Sequence, residues 1–202
     1  MGKLGRWALN AAIEQHRQWR SQKLNLGVAV NISPRQLHDK ALYEDILVLL
    51  GKAETKNSWL TLEITESTLM QDPRASIEVL TRLRDDFGLK ISVDDFGVGY
   101  SSLAYLRRLP LDEIKIDKEF VRNMITSSED ASIVKTVIDL GHNLGLQVVA
   151  EGVEDRDTLE LLDSLGCDQA QGFYISRPIP PDELMVWAKA ALAAPNEKLR
   201  SS

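Results

Sequence analysis

Leu89-Lys90-Ile91-Ser92-Val93-Asp94-Asp95-Phe96-Gly97 is the stretch whose reading decides the fold. Residues 89–93 are strand-like, and the run ends on two adjacent carboxylates and a glycine turn. Working outward, the same event recurs. Asn31, Glu63, Asp94, Asp95, Asp117 and Glu151 each lie at or just beyond the last residue of a predicted strand. In barrels of alternating strands and helices, the chemistry gathers at the carboxyl ends of the strands. Six oxygen-bearing side chains around one rim form the donor set of a hard-cation site.

Strands are predicted at residues 26–32, 60–65, 89–93, 113–116, 146–150 and 170–175. Helices are predicted at 3–20, 41–51, 102–108, from about Asp130 to Leu144, at 155–165, and from near Pro181. The first helix places Leu4, Trp7, Ala8, Ala11 and Ile13 on or near one face. Another helix is punctuated clearly: Asp72 at the N-cap, Pro73 at N1, an apolar stripe of Ile77, Leu80, Leu83 and Phe87, then Gly88 as the stop. Strands alternating with helices indicate right-handed βαβ units and a parallel sheet. Two closures are open, a doubly wound sheet or a (β/α) barrel. Functional groups at nearly every strand end favour the barrel, because an open sheet concentrates them at one switch point. A full barrel has eight strands and ~250 residues. The expectation is therefore an α/β, TIM-like barrel that is incomplete, with about six strands. It forms one domain over residues 1–194 that lacks its N-terminal strands, followed by a polar tail at 195–202. Residues 26–32 would then form an open sheet edge, which invites a homodimer.

The chain has 202 residues, 44% hydrophobic and 27% charged, with a net charge of −6. That acidity argues against binding a DNA or RNA polymer, which requires Lys and Arg to neutralise phosphates. A small phosphate ligand remains compatible, because a bound divalent metal reverses the local sign. No run of ~18 apolar residues offers a membrane segment, and the N-terminus lacks the pattern of a secretory signal. A single cysteine, Cys167, rules out an internal disulfide and fits a reducing compartment. The chain reads as cytoplasmic, or as a cytoplasmic domain of a larger membrane protein.

Each chemistry-bearing segment has a plainer alternative. Asn31, in Val-Asn-Ile-Ser-Pro, also suits a turn. Alternation puts Leu62 and Ile64 on one side and Glu63 on the other, where a buried carboxylate is costly unless paired or metal-bound. Glu66 also suits the first turn of a helix. Asp94 and Asp95 repel one another, which metal ligation explains better than structure does. The Gly-x-Gly of residues 97–99 lacks the third glycine of a dinucleotide loop, and Asp-Phe-Gly lacks the companion motifs of a kinase. Lys115 and Asp117 share a face opposite Ile114 and Ile116. A lysine there can orient water or steady a leaving oxygen, or simply form an internal ion pair. Glu151 is the natural general base. Gln171 offers an amide to a ligand, or serves a turn. His16, His38 and His142 form no ligand set, and Cys167 has no neighbouring base.

Taken in order, Val-Asn-Ile-Ser-Pro-Arg-Gln-Leu, Leu-Glu-Ile-Thr-Glu-Ser, Asp-Asp-Phe-Gly-Val-Gly-Tyr-Ser-Ser-Leu, Ile-Lys-Ile-Asp, Glu-Gly-Val-Glu and Gln-Gly-Phe-Tyr resemble the motifs of EAL domains. These are bacterial phosphodiesterases of cyclic di-GMP. The resemblance covers residues 4 to 187 and implies a modified TIM barrel that hydrolyses cyclic di-GMP to linear pGpG with Mg²⁺ or Mn²⁺. It implies Asn31, Glu63 and Asp94 as ligands of one metal, and Asp94, Asp95 and Asp117 around a second. Lys115 and Glu151 resemble the residues that handle the attacking water. Glu66 resembles the acid anchoring the Asp-Asp-Phe-Gly loop, Gln171 a residue near the substrate, and Glu154 an accessory acid. The Glu-Ala-Leu tripeptide that names the family does not occur in this sequence. The first two strands are therefore expected to lie upstream, and the isolated chain to lose activity without them. Fused GGDEF or sensor domains are expected in the parent protein. A non-catalytic cyclic di-GMP receptor or interaction module is the alternative function. An enolase-like barrel with Lys115 as base fits the tandem acids less well.

Overall fold

Alternation along Leu60–Thr65 shows how the sequence builds the sheet. Leu60, Leu62 and Ile64 are at most 1% exposed, while Thr61, Glu63 and Thr65 take the opposite face. In the computed structural model, which describes residues 2–51, 57–98 and 103–193, this strand is β2. The elements run α1 (Lys3–Ser21), β1 (Val28–Asn31), α2 (Pro34–Leu37), α3 (Ala41–Leu50), β2 (Leu60–Thr65), α4 (Glu66–Gln71), α5 (Pro73–Phe87) and β3 (Lys90–Phe96). Then follow α6 (Leu103–Leu106), β4 (Glu113–Ile116), α7 (Lys118–Asn123), α8 (Ser128–Asn143), β5 (Gln147–Glu151), α9 (Arg156–Ser164), β6 (Gln169–Gln171) and α10 (Pro181–Ala193).

All six strands are parallel and lie in the order β1-β2-β3-β4-β5-β6. Spatial order thus follows chain order without a reversal. A doubly wound sheet has a reversal, at its switch point. The sheet winds one way, as a barrel wall does, and it is the incomplete TIM-like barrel expected from the sequence. One side of the wall is apolar. Leu62, Ile64, Ile91, Val93, Ile114, Ile116, Val148 and Ala150 pack with Leu80, Leu83 and Phe87 of α5 and with Val134 and Ile138 of α8. The other side is polar. Ser92 Oγ donates to Glu113 Oε1 at 2.8 Å, and Gln169 Nε2 donates to Gln147 Oε1 at 3.0 Å. Among the described residues β1 and β6 each pair on one side only, and Ala29 and Asn31 of β1 are exposed.

The signals at α5 act as expected. Asp72 Oδ1 accepts the Ala75 N–H at 3.1 Å, Pro73 opens the helix, and Gly88 closes it at φ 67°, its N–H donating to Arg84 O at 2.7 Å. The face expected for α1 is corrected. Leu4 and Trp7 are 77% and 68% exposed, and the buried face is Leu9, Ala12, Ile13, His16 and Trp19. His16 explains the shift, because it stacks flat on Trp59, 3.8 Å between ring centroids, and its Nδ1 reaches Leu26 O. A second cluster joins distant parts of the chain, with Ala188 of α10 packing against Trp19 and Leu24. The polar tail at 195–202 and the residues 99–102 of the Asp-Asp-Phe-Gly segment lie outside the described residues.

Candidate metal and phosphodiester site

Three strands meet on one ammonium. Lys115 Nζ lies 2.9 Å from Glu63 Oε1, 3.3 Å from Asp94 Oδ1 and 2.5 Å from Glu151 Oε1. These side chains are from 5% to 18% exposed. Alternation explains why they meet, since Glu63, Lys115 and Glu151 all occupy the polar face of their strands. Burial alone would depress the Lys115 ammonium. Its hydrogen bonds to Glu151 and Glu63 outweigh that cost and hold it above the ordinary lysine value.

Asp94 and Asp95 are neighbours, and regular alternation would send them to opposite faces. The register between β3 and β4 slips here, from Val93↔Ile114 to Phe96↔Ile116, so one extra residue is absorbed as a bulge. Asp95 takes φ 54°, a left-handed conformation that Asp tolerates better than most side chains. As a result Asp94, Asp95 and Glu151 each offer a carboxylate oxygen within 4.8 Å of the other two. Burial, then the charges of Asp94 and Asp117, push the Asp95 carboxyl above its ordinary value.

Asp117 follows β4, is 7% exposed and caps α7, its Oδ1 accepting the Glu119 N–H at 2.7 Å. Glu66 Oε2 accepts the Gly97 N–H at 3.1 Å, tying the start of α4 to the turn after Asp95. Gly97 has φ 106°, and a Cβ there would meet the Phe120 ring at 3.1 Å. Asn31 is the register partner of Glu63, and Gln171 that of Glu151; both are exposed on the same rim. Glu154 stands apart from this set, in an ion pair with Arg122. His142 Nε2 lies 3.0 Å from Asp168 Oδ2, and burial pushes the Cys167 thiol up, away from reactivity.

Glu63, Asp94 and Glu151 hold Lys115, and Asp95 and Asp117 lie beside them, so five carboxylates share one lysine, a surplus of negative charge that a divalent cation would offset. The donors are all oxygen, with no soft ligand, which suits a hard ion. The bulge is not legible in the sequence, because Asp94 and Asp95 read as the end of the strand rather than as residues within it. The contact of Arg122 with Glu154 is not visible there either, since only α7 brings that guanidinium beside the rim.

The EAL domain model matches residues 1–178. The chain belongs to the EAL domain family. This EAL domain is 42% identical over 180 residues to the signaling protein YkoW of Bacillus subtilis, a match covering 89% of this chain and 22% of that protein. It is 42% identical over 184 residues to the bifunctional diguanylate cyclase/cyclic di-GMP phosphodiesterase MucR of Pseudomonas aeruginosa, covering 91% and 27%. The chain thus spans about a quarter of the length of these curated relatives. Among solved structures, the MucR phosphodiesterase in complex with c-di-GMP superposes with TM-score 0.85 at 42% identity, covering 90% of this chain and 74% of that one. The EAL domain of Mycobacterium smegmatis DcpA gives 0.84 at 38% identity, covering 92% and 84%.

Proposed function

We propose that this EAL domain hydrolyses cyclic di-GMP to linear pGpG, as the catalytic part of a longer bacterial signalling protein. The observation that carries the reading is the convergence of Glu63, Asp94 and Glu151 on Lys115, with Asp95 brought to the same rim by the bulge. Relatives that share its family are named for this activity. Mg²⁺ or Mn²⁺, one ion held by Asn31, Glu63 and Asp94 and a second by Asp94, Asp95 and Asp117, would supply Lewis-acid stabilisation of the phosphoryl oxygens.

The chain's own residues divide the remaining work. Glu151 accepts a proton from the attacking water as the new P–O bond forms, and the ester P–O bond breaks with the leaving ribose oxygen taking a proton from solvent. Lys115 donates hydrogen bonds from a fixed position and keeps its charge, so it orients the water and steadies developing negative charge. Glu66 holds the Gly97 turn and, through it, the Asp95 backbone. Gln171 offers its amide to the nucleotide. In the same reading the domain works in the cytoplasm and GGDEF or sensor domains belong to the parent chain, while the chain without its upstream strands leaves the β1 edge open and pairs through it as a homodimer.

The test is pGpG release followed chromatographically, for this chain and for a longer parent, with Mg²⁺ or Mn²⁺ and with chelator. The expected result is metal-dependent release by the longer parent that Glu151→Gln abolishes, with little or none from this chain alone. Absence of turnover by both proteins in the presence of metal would overturn the reading.

A further inference from the structure

Glu154 ends the Glu-Gly-Val-Glu motif, yet its carboxylate is engaged by the Arg122 guanidinium rather than by the central lysine. Arg122 lies on α7, and α7 begins at Asp117. That carboxylate caps the helix it precedes, so any rotation or shift of α7 carries Asp117 with it. The same helix leans on the exit of β5. A Cβ at Gly152 would stand 2.6 Å from Lys118 Cβ and 3.6 Å from Arg122 Nε, and Gly152 directly follows Glu151. A closed ring results: Asp117, α7, Arg122, Glu154, and back through Val153 and Gly152 to Glu151. On the strand side the ring is closed by the pairing of Ile116 with Ala150. On the outer side the closing link is the Arg122–Glu154 ion pair.

We infer that this ion pair is a brace that fixes the spacing between Asp117 and Glu151, which makes Arg122 a positioning residue for the metal centre. The inference rests on the metal-site reading above and extends it to a residue outside the acidic cluster. Arg122 and Glu154 are 46% and 45% exposed, so the pair contributes little to stability. Its effect lies in geometry. Groups that orient ligands typically change metal affinity ~10- to 100-fold, and a half-exposed brace belongs at the low end.

Simple electrostatics makes a different forecast. Removing the Arg122 cation would make the rim more negative and tighten cation binding, while neutralising Glu154 would weaken it. A brace requires both changes to weaken binding, and to do so without adding.

The experiment is Mn²⁺ titration of the full chain by electron paramagnetic resonance, with thermal melting in parallel. It uses Arg122→Ala, Glu154→Gln, the double variant, and the charge-swapped pair Arg122→Glu with Glu154→Arg. Lys135→Ala, which removes a similarly exposed ion pair to Asp139 on α8, is the control. Each single variant is expected to weaken Mn²⁺ binding by about tenfold, the double variant no more than either single one, and the swap to recover most of the loss. Melting temperatures are expected to stay within about 2 °C, and the control to bind like wild type. Unchanged or tighter binding by Arg122→Ala overturns the brace, as does a melting temperature that falls with it. If wild type itself binds no Mn²⁺, the metal-site reading fails first, and that failure is visible without any variant.

Discussion

Lys115→Met removes the one cation at the centre of the site while keeping most of the side-chain volume. Its contacts at 2.5, 2.9 and 3.3 Å to Glu151, Glu63 and Asp94 are each worth about 5 to 7 kcal/mol of gross attraction at an effective dielectric near 20. Desolvating each ion costs several kcal/mol, so most of that sum cancels. What remains after truncation is three mostly, not fully, buried carboxylates without a counter-charge, for which a loss of about 3 to 5 kcal/mol is the upper range expected. For a chain of this size that corresponds to a fall of roughly 6 to 20 °C in melting temperature. A divalent cation replaces the missing charge, so saturating Mn²⁺ should restore the variant by more than it raises wild type. At a hundredfold excess over Kd, the gain is about 2.7 kcal/mol. The assay is thermal melting of both proteins with chelator and with Mn²⁺, alongside pGpG release by the longer parent, which the same substitution there should abolish. A metal-free variant that melts within about 2 °C of wild type would refute the reasoning, because the ammonium would not then be the counter-charge of the cluster.

Asp95→Asn should stabilise the metal-free protein at neutral pH and weaken Mn²⁺ binding. The folded carboxyl holds its proton above the ordinary value of 3.8, so folding loses stability as pH rises from there through the raised value. Melting curves across that window should slope down for wild type and flatten for the variant, and equal slopes would count against it. Gly172→Ala places a Cβ 2.0 Å from Val153 O and 2.4 Å from Val153 N. Backbone cannot yield as a side chain does, so urea denaturation should show a loss of about 3 kcal/mol or more. Glu66→Gln turns a charged acceptor of the Gly97 N–H into a neutral one. It should cost about 1 to 2 kcal/mol of stability and weaken Mn²⁺ binding, both read in the same melts and titrations.

The parts of the fold that could be read from the chain were those with a strict period. Alternation at residues 60–65 and 113–116 decided which side chains face the rim, and the structure follows it. The reading of α1 had the right period and the wrong phase, because it put Leu4 and Trp7 on the apolar face and did not count His16 there. A histidine stacked on Trp59 carries no hydropathic signal. Strand β3 was expected to end at Val93, since two aspartates interrupt the apolar run; it continues to Phe96 because the bulge admits both acids without breaking the sheet. Residues 170–175 looked like one strand. Only Gln169–Gln171 pair, and the Ile175 and Ser176 N–H groups turn back onto Gly172 O. Helices α2, α4 and α7 have four to six residues each, too few for a periodic pattern to emerge. The last of these sets the position of Asp117, so the brace across the rim depends on a helix the sequence did not announce.

The contact between α10 and α1 bears on the order in which the molecule assembles. Trp19 and Leu24 find their cover in Ala188, at the far end of the sequence. Local pieces such as α5 with β2 and β3 can form while synthesis is under way, but this patch stays wet until residue 188 has emerged. Late closure of widely separated segments is slow compared with local pairing. With Trp7, Trp59 and Trp187 replaced by Phe, the indole of Trp19 becomes a reporter of this closure: its fluorescence should change in the slowest refolding phase, after the sheet has gained its circular dichroism.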